Sequence, residues 1–296
     1  MYTLLFLTDY GWQDAYVGNL KTVALSTLTP QARSKTTLVD LSHAVPAFQV
    51  QIGAWQLLTS LPYCPPDAVF VCVVDPNVGD VEQGVLLAYR ASYNQWFVAP
   101  DNGLLAPLLQ ADATIQTWRF SQQTVKPFGW HYPNETVEKL AGSTFAGRDL
   151  YAPLGAVLIN KQVQGMDLLA WVSQLAKESH AETQTWQACS GWEAPKRLTE
   201  TCFEGTVLTS DGFGNVILTI PHFWLDFELT QVDLSVDTQQ PLELPVVSSY
   251  GALPIDALGV VRGSHGYLEV ACNQGSAEKR LGLQAGMRVR VTATSV

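Results

Sequence analysis

Acidic and amide side chains follow three apolar segments of this chain, at the point where each segment ends. Asp9 follows the first apolar run, Asp75 follows the most apolar one, and Asn102 follows a third. A carboxylate at such a position can accept hydrogen bonds from two sugar hydroxyls at once, or it can orient a nucleophile. The alternatives are local, because Asp9 could cap the next helix and simple turns could account for Asp75 and Asn102.

An aromatic residue stands beside small residues in two further motifs. In T-F-A-G-R-D (144–149), Phe145 could stack on a flat ligand, although a core aromatic beside a local ion pair is the alternative. In D-G-F-G-N (211–215), Phe213 lies between two glycines, and the Asn215 amide could donate to and accept from the edge of an adenine. A β-hairpin turn would account for the second motif equally well.

A tight turn is also indicated at R-G-S-H-G (262–266), where the backbone around Ser264 and His265 could hold a carboxylate. Another hairpin is the structural alternative. The nucleotide-binding, nucleophile-elbow and zinc-protease signatures do not occur in the chain. Its five histidines show no metal-ligand spacing, so no metal site is expected.

Strand and helix patterns alternate in the first half of the chain. The predicted strands are Thr3–Leu7, Thr37–Leu41, Ala68–Val74, Val85–Tyr89 and Trp96–Ala99, and the predicted helices are Ala15–Leu28, Phe48–Leu61 and Leu104–Leu109. This alternation predicts an α/β domain with a mostly parallel sheet and helices on both faces. Because ligands bind at the carboxyl edge of such sheets, Asp9, Asp75 and Asn102 are expected at one site.

Short strand patterns alone follow a polar stretch in the second half. We predict an N-terminal α/β domain over 1–175, a linker over 176–198 and a C-terminal antiparallel β-barrel over 199–296. The predicted barrel strands are Phe203–Leu208, Val216–Ile220, Gln231–Val236, Leu242–Ser248, Ala257–Arg262, Tyr267–Ala271 and Arg288–Val291.

Composition narrows the class of protein. The 296 residues include 27 acidic and 17 basic side chains, giving a net charge of −10, which argues against binding to nucleic acid or to anionic membranes. No apolar run approaches the roughly 20 residues that a membrane span needs. The five cysteines form no C-x-x-C pair, which is typical of a reducing compartment, and we predict a cytoplasmic protein.

The order and spacing of these motifs resemble the S-adenosylmethionine hydroxide adenosyltransferase family, which is related to the fluorinase and chlorinase enzymes. The matching segments run from T-D-Y-G-W-Q-D-A-Y-V-G through V-V-D-P-N-V-G, A-P-D-N-G-L-L, T-F-A-G-R-D and D-G-F-G-N to G-Y-L-E-V-A-C-N-Q-G-S-A. The resemblance implies an α/β domain followed by a β-barrel, a homotrimer, and a ligand held between neighbouring subunits. It implies displacement of methionine from the 5′ carbon of S-adenosylmethionine (SAM), with SAM as substrate or ligand and no separate cofactor.

The resemblance also implies the roles of individual residues. Asp9 would hold the ribose hydroxyls, and Phe145 would pack beside the ribose. Asp14 and Asp211 would bind the methionine ammonium, and Ser264 and His265 the methionine carboxylate. Phe48 would lie against the ligand, and Asn215 with the backbone around Asn273 would recognise adenine. Asn102 and Phe213, which lie in matching motifs, are counted with the substrate-binding residues. Carboxylates suit SAM because it carries a sulfonium and an ammonium.

Two of the water-orienting residues that the family resemblance implies are missing from this chain. The resemblance implies that an Asp, an Arg and a His orient the attacking water, and Asp75 supplies the first. Positions 80–83 read D-V-E-Q where the arginine is expected, and Ala146 stands in place of the histidine. Assistance by such groups is worth about 10²–10⁴-fold in rate.

The sequence therefore leaves three functions open: a SAM hydrolase with Asp75 as the base, a transferase that uses another nucleophile, and a non-catalytic protein that binds SAM or adenosine. A histidine supplied from elsewhere, such as His131, would favour the first. Chloride is disfavoured as the nucleophile, because a carboxylate at Asp75 repels anions.

Overall fold

The computed structural model describes residues 1–80, 82–132, 144–226, 228–236 and 240–295. The chain divides into two compact units, Met1–Ser190 and Gly191–Val296. The domain boundaries expected from the sequence, 1–175 and 199–296, stay a prediction. In the described ranges, none of the helices combines the length and apolarity that crossing a bilayer requires.

The first unit is built on a seven-stranded sheet. Its strands are β1 (Tyr2–Thr8), β2 (Thr36–Ser42), β3 (Ala68–Val73), β4 (Val85–Arg90), β5 (Gln95–Pro100), β6 (Gln116–Phe120) and β7 (Glu182–Thr183). Its described α-helices are α1 (Tyr16–Thr27), α2 (Pro30–Arg33), α3 (Val50–Ser60), α4 (Ala106–Ala111), α5 (Gln122–Val125), α6 (Ala152–Val163) and α7 (Leu168–Ser179). A π-helical turn, Gly147–Tyr151, runs directly into α6.

The strand order in this sheet is β2-β1-β3-β5-β4-β6-β7. The first four strands pair in parallel, and β4, β6 and β7 pair antiparallel. The change of direction follows from the short link between β4 and β5, in which Asn94 adopts φ 50° and turns the chain back. Parallel neighbours would need a long crossover. The α/β class is confirmed, and the sheet is mixed.

Both faces of this sheet are covered by helices. All six side chains of β3 are buried, as expected for an apolar strand in the centre of a covered sheet. On one face α1 and α6 pack on the sheet, where the stacked rings of Trp96 and Trp118 have centroids 5.8 Å apart. On the other face Phe70 stacks on Phe97 at 4.6 Å. Each such buried side chain contributes roughly 1.5–3 kcal/mol, and together they fix the strand ends in space.

The second unit is a closed barrel. Its strands are β8 (Lys196–Arg197), β9 (Cys202–Ser210), β10 (Val216–Pro221), β11 (Gln231–Val236), β12 (Leu242–Val247), β13 (Leu258–Arg262), β14 (Tyr267–Cys272) and β15 (Arg288–Ser295), with one described helix, α8 (Ala277–Leu281). The order β10-β14-β13-β12-β11-β15-β9 is closed by pairing of β10 with β9, and β8 extends β9. The seven strands predicted for the barrel are confirmed.

One pairing in the barrel is parallel, between β12 and β13. Residues 248–257, which contain a 3₁₀ turn at Tyr250–Ala252, carry the chain back to the same end of the sheet. The other barrel pairings of the described residues are antiparallel, and their inward side chains form one apolar core.

Candidate active site

Polar side chains at the carboxyl ends of β1, β3 and β5 come together in the first unit. Asp9 directly follows β1, Asp75 comes two residues after β3, and Asn102 comes two residues after β5. The Asn102 Nδ2 donates a hydrogen bond to the carbonyl oxygen of Val74 at 2.8 Å, which ties the ends of β5 and β3 together. The charge of Asp9 contributes to raising the pKa of Asp75, so the two carboxylates lie within electrostatic range of each other.

Asp9 is fixed by the backbone that precedes α3. Its Oδ2 accepts a hydrogen bond from the N–H of Phe48 at 3.0 Å. Phe48 has φ 67°, a left-handed conformation that is rare and costly for a bulky residue. The interpretation of Asp9 as a helix cap is wrong, because α1 begins after Ala15 and has no side-chain cap. Burial raises the pKa of Asp9, and the hydrogen bond from Phe48 opposes this.

Asp75 is held from two sides. Its Oδ1 accepts hydrogen bonds from Nε2 of Gln83 at 3.0 Å and from the N–H of Asn77 at 3.2 Å. The second bond is the turn that the local interpretation predicted. Burial raises the pKa of Asp75 and the Asp9 charge adds to this, while the amides of Gln83, Asn77 and Asn102 oppose it. A raised pKa makes a carboxylate a better proton acceptor.

The raised pKa of Asp75 has a consequence for stability. In the native state this carboxyl binds its proton more tightly than in the unfolded chain, so its charged form destabilises the fold at neutral pH. That contribution is lost below the unfolded pKa of about 3.9 and grows as pH rises through the native pKa. We expect Asp75→Asn to raise the melting temperature at neutral pH and to change it little near pH 4, as measured by differential scanning calorimetry.

Asp112 provides a control, because its pKa is shifted in the opposite direction from that of Asp75. Hydrogen bonding from Thr114 lowers the pKa of Asp112, and Arg90 acts in the same direction. Asp112→Asn should therefore not raise the melting temperature at neutral pH. Equal changes in both variants would contradict the assignment of the raised pKa to Asp75.

Three aromatic rings lie together next to Asp9. The ring of Phe145 makes edge contacts with Tyr10 and Tyr16, with centroid distances of 5.4 and 5.2 Å. The guanidinium of Arg148 lies 4.9 Å from the centre of the Phe145 ring and also pairs with Asp149, with an N–O distance of 2.6 Å. The ion pair predicted by the structural alternative is present, and stacking of Phe145 on a ligand stays a prediction.

Gly147 makes room for Tyr10. A Cβ at position 147 would lie 1.9 Å from the Tyr10 hydroxyl oxygen, so any larger residue would displace that ring. Burial raises the pKa of Tyr10, and the charges of Asp9, Asp75 and Asp149 add to this. Gly147 also begins the π-helical turn, an irregularity that is frequent at functional sites.

The segment in which the resemblance implies an arginine supplies Gln83 instead. Position 81 of that segment lies outside the described residues. Ala146 packs against the core and has no polar side chain to offer. His131 is exposed, and its Nε2 lies 3.2 Å from the carbonyl oxygen of Pro127. The partner that the structure gives Asp75 is therefore an amide.

Exposed aromatic side chains surround the T-D-Y-G turn. The exposed fractions are 61% for Trp12, 49% for Tyr16 and 66% for Phe48, whose N–H binds Asp9. Asp14 is also exposed, in the residues that precede α1. Apolar surface around partly buried carboxylates is typical of a binding site, so these side chains could contact a ligand. The predicted roles of Asp14 and Phe48 stay predictions.

A buried histidine that the motif analysis did not single out supports the same turn. The Nε2 of His43 lies 3.1 Å from Oδ1 of Asp40, and its Nδ1 lies 2.7 Å from the Thr8 hydroxyl. A carboxylate only accepts, so Nε2 carries the hydrogen and Nδ1 accepts from Thr8. The Tyr10 N–H then donates to the Thr8 oxygen at 3.3 Å. This chain of bonds fixes the backbone on both sides of Asp9.

The D-G-F-G-N motif of the second unit forms the hairpin turn between β9 and β10. The Asp211 carboxylate accepts hydrogen bonds from the backbone N–H groups of Phe213 and Asn215, and from the Asn215 amide, each at 2.9 Å. Asn215 is buried and its side-chain donor is used within the turn, whereas Phe213 is 83% exposed. Recognition of adenine by Asn215 and binding of ammonium by Asp211 stay predictions.

The R-G-S-H-G motif is the hairpin between β13 and β14. The Nε2 of His265 lies 2.7 Å from Oε1 of the buried Glu269, and the other oxygen of Glu269 accepts from the Tyr250 hydroxyl at 2.5 Å. Ser264 is exposed on this turn. Asn273 Nδ2 donates to the carbonyl oxygen of Leu253 at 2.6 Å. The roles of Ser264, His265 and Asn273 toward a ligand stay predictions.

The fold and the site define an α/β unit with paired carboxylates at its strand ends, followed by a closed barrel. Residues 4–167 match the SAM hydroxide adenosyltransferase N-terminal domain, and residues 205–290 match the C-terminal domain. The chain belongs to the SAM hydroxide adenosyltransferase family. In the described part of the chain, no group of three or more His, Cys, Asp or Glu side chains could hold a metal ion.

Several proteins similar to this chain match it over nearly its whole length. A protein of Thermus thermophilus named (R)-S-adenosyl-L-methionine hydrolase is 33% identical, over 98% of this chain and 100% of its own. A protein of the same name from Salinispora tropica is 32% identical over 97% of both chains, and relatives named fluorinase are 24–25% identical. An uncharacterized protein from Thermotoga maritima has a similar crystal structure, with a TM-score of 0.78 and 25% identity, over 99% of this chain and 100% of that one.

Proposed function

We propose that this protein is a SAM hydrolase, in which water displaces methionine from the 5′ carbon of SAM to give adenosine and L-methionine. The observation that carries the proposal is the Asp75 carboxylate, which is partly buried, fixed by Gln83 and raised in pKa beside Asp9. Names of relatives at 32–33% identity support the same reaction.

The reaction needs alignment more than covalent chemistry. The oxygen of water forms a bond to the 5′ carbon, the bond from that carbon to sulfur breaks, and its electrons neutralise the sulfonium. Holding the water, the carbon and the sulfur in line is worth several orders of magnitude in rate. Asp75 takes the proton that the water loses, which its raised pKa favours. Asp9 accepts hydrogen bonds from the two ribose hydroxyls and so sets the position of the 5′ carbon.

The charges at the site favour water over an anionic nucleophile. The negative charges of Asp9 and Asp75 lie within electrostatic range of each other, and together they repel a halide. For the rest of the ligand we propose the roles that the family resemblance implies. Asp14 and Asp211 meet the ammonium, Ser264 and His265 meet the carboxylate, Phe48 and Phe145 pack on the ligand, and Asn102, Phe213, Asn215 and Asn273 complete the substrate-binding set.

The oligomeric state and the cellular location of the protein are proposed from the family resemblance and from the cysteines. The family resemblance supports a homotrimer that binds SAM without a separate cofactor. All five cysteines are free, which fits a reducing compartment, and we place the protein in the cytoplasm. Sedimentation of the purified protein tests the trimer directly.

The test of the function is incubation of the purified protein with the (S) and (R) epimers of SAM in ¹⁸O-labelled water, with and without high chloride. We expect adenosine and methionine in equal amounts, with ¹⁸O in the 5′ hydroxyl of adenosine. A 5′-substituted nucleoside without ¹⁸O would establish another nucleophile. Calorimetric binding of SAM without any product would establish the non-catalytic alternative and contradict the proposal.

A further inference from the structure

The Nε2 of Gln83 donates a hydrogen bond to Oδ1 of Asp75 at 3.0 Å, and the Asn102 amide contributes a second side-chain hydrogen bond to the same carboxyl. Gln83 comes from the loop after β3, and only 7% of the residue is exposed. Because a carboxylate only accepts, the amide must turn its Nε2 toward Asp75, and its Oε1 then faces away from that oxygen. The orientation of the amide is therefore decided by chemistry.

The backbone of Gln83 is itself held in place. The amide of Gln122, on α5, donates to the carbonyl oxygens of Asp80 at 2.9 Å and Gln83 at 3.2 Å. The guanidinium of Arg119, on β6, donates to the carbonyl oxygen of Glu82 at 3.2 Å. Two neighbouring elements thus hold the backbone carbonyls of Asp80, Glu82 and Gln83, which positions the Gln83 side chain toward Asp75.

Two buried polar atoms in this region have no hydrogen-bond partner among the described residues. They are Oε1 of Gln83 and the hydroxyl oxygen of Tyr151, at the end of the π-helical turn. Tyr151 is fully buried in the same apolar cluster as Val73, the last residue of β3, which lies two positions before Asp75. The Asp75 charge contributes to raising the pKa of the Tyr151 hydroxyl, in keeping with this placement. Buried polar groups are normally satisfied, and a catalytic role or a bound water is among the explanations for an exception.

We propose that Gln83 replaces the arginine of the family pattern by orienting Asp75, and that its Oε1 and the Tyr151 hydroxyl bind the attacking water. This inference rests on the proposed function. The bound water donates one hydrogen bond to Asp75 and another to Oε1 of Gln83, and it accepts a hydrogen bond from the Tyr151 hydroxyl. As its oxygen bonds to the 5′ carbon and methionine leaves, the proton passes to Asp75.

A neutral partner has a chemical advantage over the arginine. A guanidinium beside Asp75 would lower the pKa of the carboxyl and weaken it as a base. The amide fixes the same oxygen without placing a full positive charge beside it, so the pKa of Asp75 stays raised by burial and by Asp9. An effect of Gln83 on the pKa of Asp75 would distinguish this hydrogen bond from one that only stabilises the fold.

The test compares Gln83→Leu, Gln83→Arg and Tyr151→Phe with the wild type. We expect Gln83→Leu to lower kcat by about 10–100-fold, the worth of a hydrogen bond to a charged group, with KM for SAM changed by less than about threefold. Gln83→Arg should restore most of the rate and move the acid limb of the pH–rate profile to lower pH. Tyr151→Phe should lower kcat by about tenfold without lowering the melting temperature.

The matched control is Gln95→Leu, which removes a fully buried glutamine from the other end of β5, where its amide donates to Pro65. It should lower the melting temperature and leave kcat unchanged. Wild-type kcat and an unchanged pH profile in both Gln83 variants would overturn the inference.

A second measurement does not need turnover. The pKa of Asp75 is followed by ¹³C NMR of labelled aspartate carboxyls, with Asp75→Asn identifying the resonance. We expect Gln83→Leu to raise this pKa, Gln83→Arg to lower it and Gln95→Leu to leave it unchanged. Absence of adenosine from the wild type would overturn the proposed function, whereas an Asp75 pKa that ignores Gln83 would overturn this inference.

Discussion

Asp75→Asn is expected to lower kcat for SAM hydrolysis by about 10²–10⁴-fold, the usual contribution of a general base. Asparagine has the shape of aspartate, and its oxygen can still accept from Gln83 and from the backbone of Asn77. It cannot take a proton from water at neutral pH. Steady-state release of adenosine measures the loss, and calorimetry should show SAM binding within about threefold of the wild type.

The control for this variant lies on the same loop. Asp80 is exposed, and its Oδ1 accepts from the backbone N–H of Glu82 at 2.9 Å. Asp80→Asn should retain the wild-type rate. The melting temperature provides a second check, because the inactive Asp75→Asn variant is expected to be more stable at neutral pH. A fully active Asp75→Asn enzyme would show that the water is activated elsewhere.

Asp9→Ala is expected to weaken SAM binding by about 10²–10⁴-fold, since it removes two hydrogen bonds to a charged group. The same change removes the acceptor of the Phe48 N–H, so the strained backbone at Phe48 loses its anchor. Titration calorimetry with SAM and with adenosine measures the loss. Both ligands should be affected alike, because both carry the ribose hydroxyls.

Two further variants make this result specific. Asp9→Asn keeps an acceptor for Phe48 and one for the ribose, so we expect an intermediate affinity. Asp112 ends α4, at the opposite end of that helix from Asn102, and its carboxylate pairs with Arg90. Asp112→Ala should therefore leave the affinity for SAM unchanged. Unchanged affinity in Asp9→Ala would exclude the ribose assignment.

Gln83 and Tyr151 show the limit of motif analysis. In the sequence, Gln83 only marks the absence of an arginine, and Tyr151 lies outside the motifs. Their importance depends on which atoms are left without partners after folding, and only coordinates give that. Motif analysis also missed the buried Glu269 and its partner Tyr250, because their contacts with each other and with His265 form only in the folded chain.

The local patterns determined the elements and the class of fold. Short strand patterns separated by turn residues predicted the seven barrel strands, and the strand-end position of Asp9, Asp75 and Asn102 followed from the direction of parallel strands. The direction in which neighbouring strands pair was harder to predict from the sequence. The antiparallel half of the first sheet depends on the tight reversal at Asn94, and the parallel pair in the barrel depends on a long connection.

Sequence by itself determined which residue types stand at the site, because the motifs are contiguous and each carries its own turn geometry. The tertiary structure decided what those residues do to one another. Asp9 binds the Phe48 backbone from 39 positions away instead of capping α1, and Asp75 takes the Gln83 amide, from further along its own loop, as its partner. Burial and the distance between charges set the pKa of a carboxyl, and these quantities exist only once distant segments have packed together.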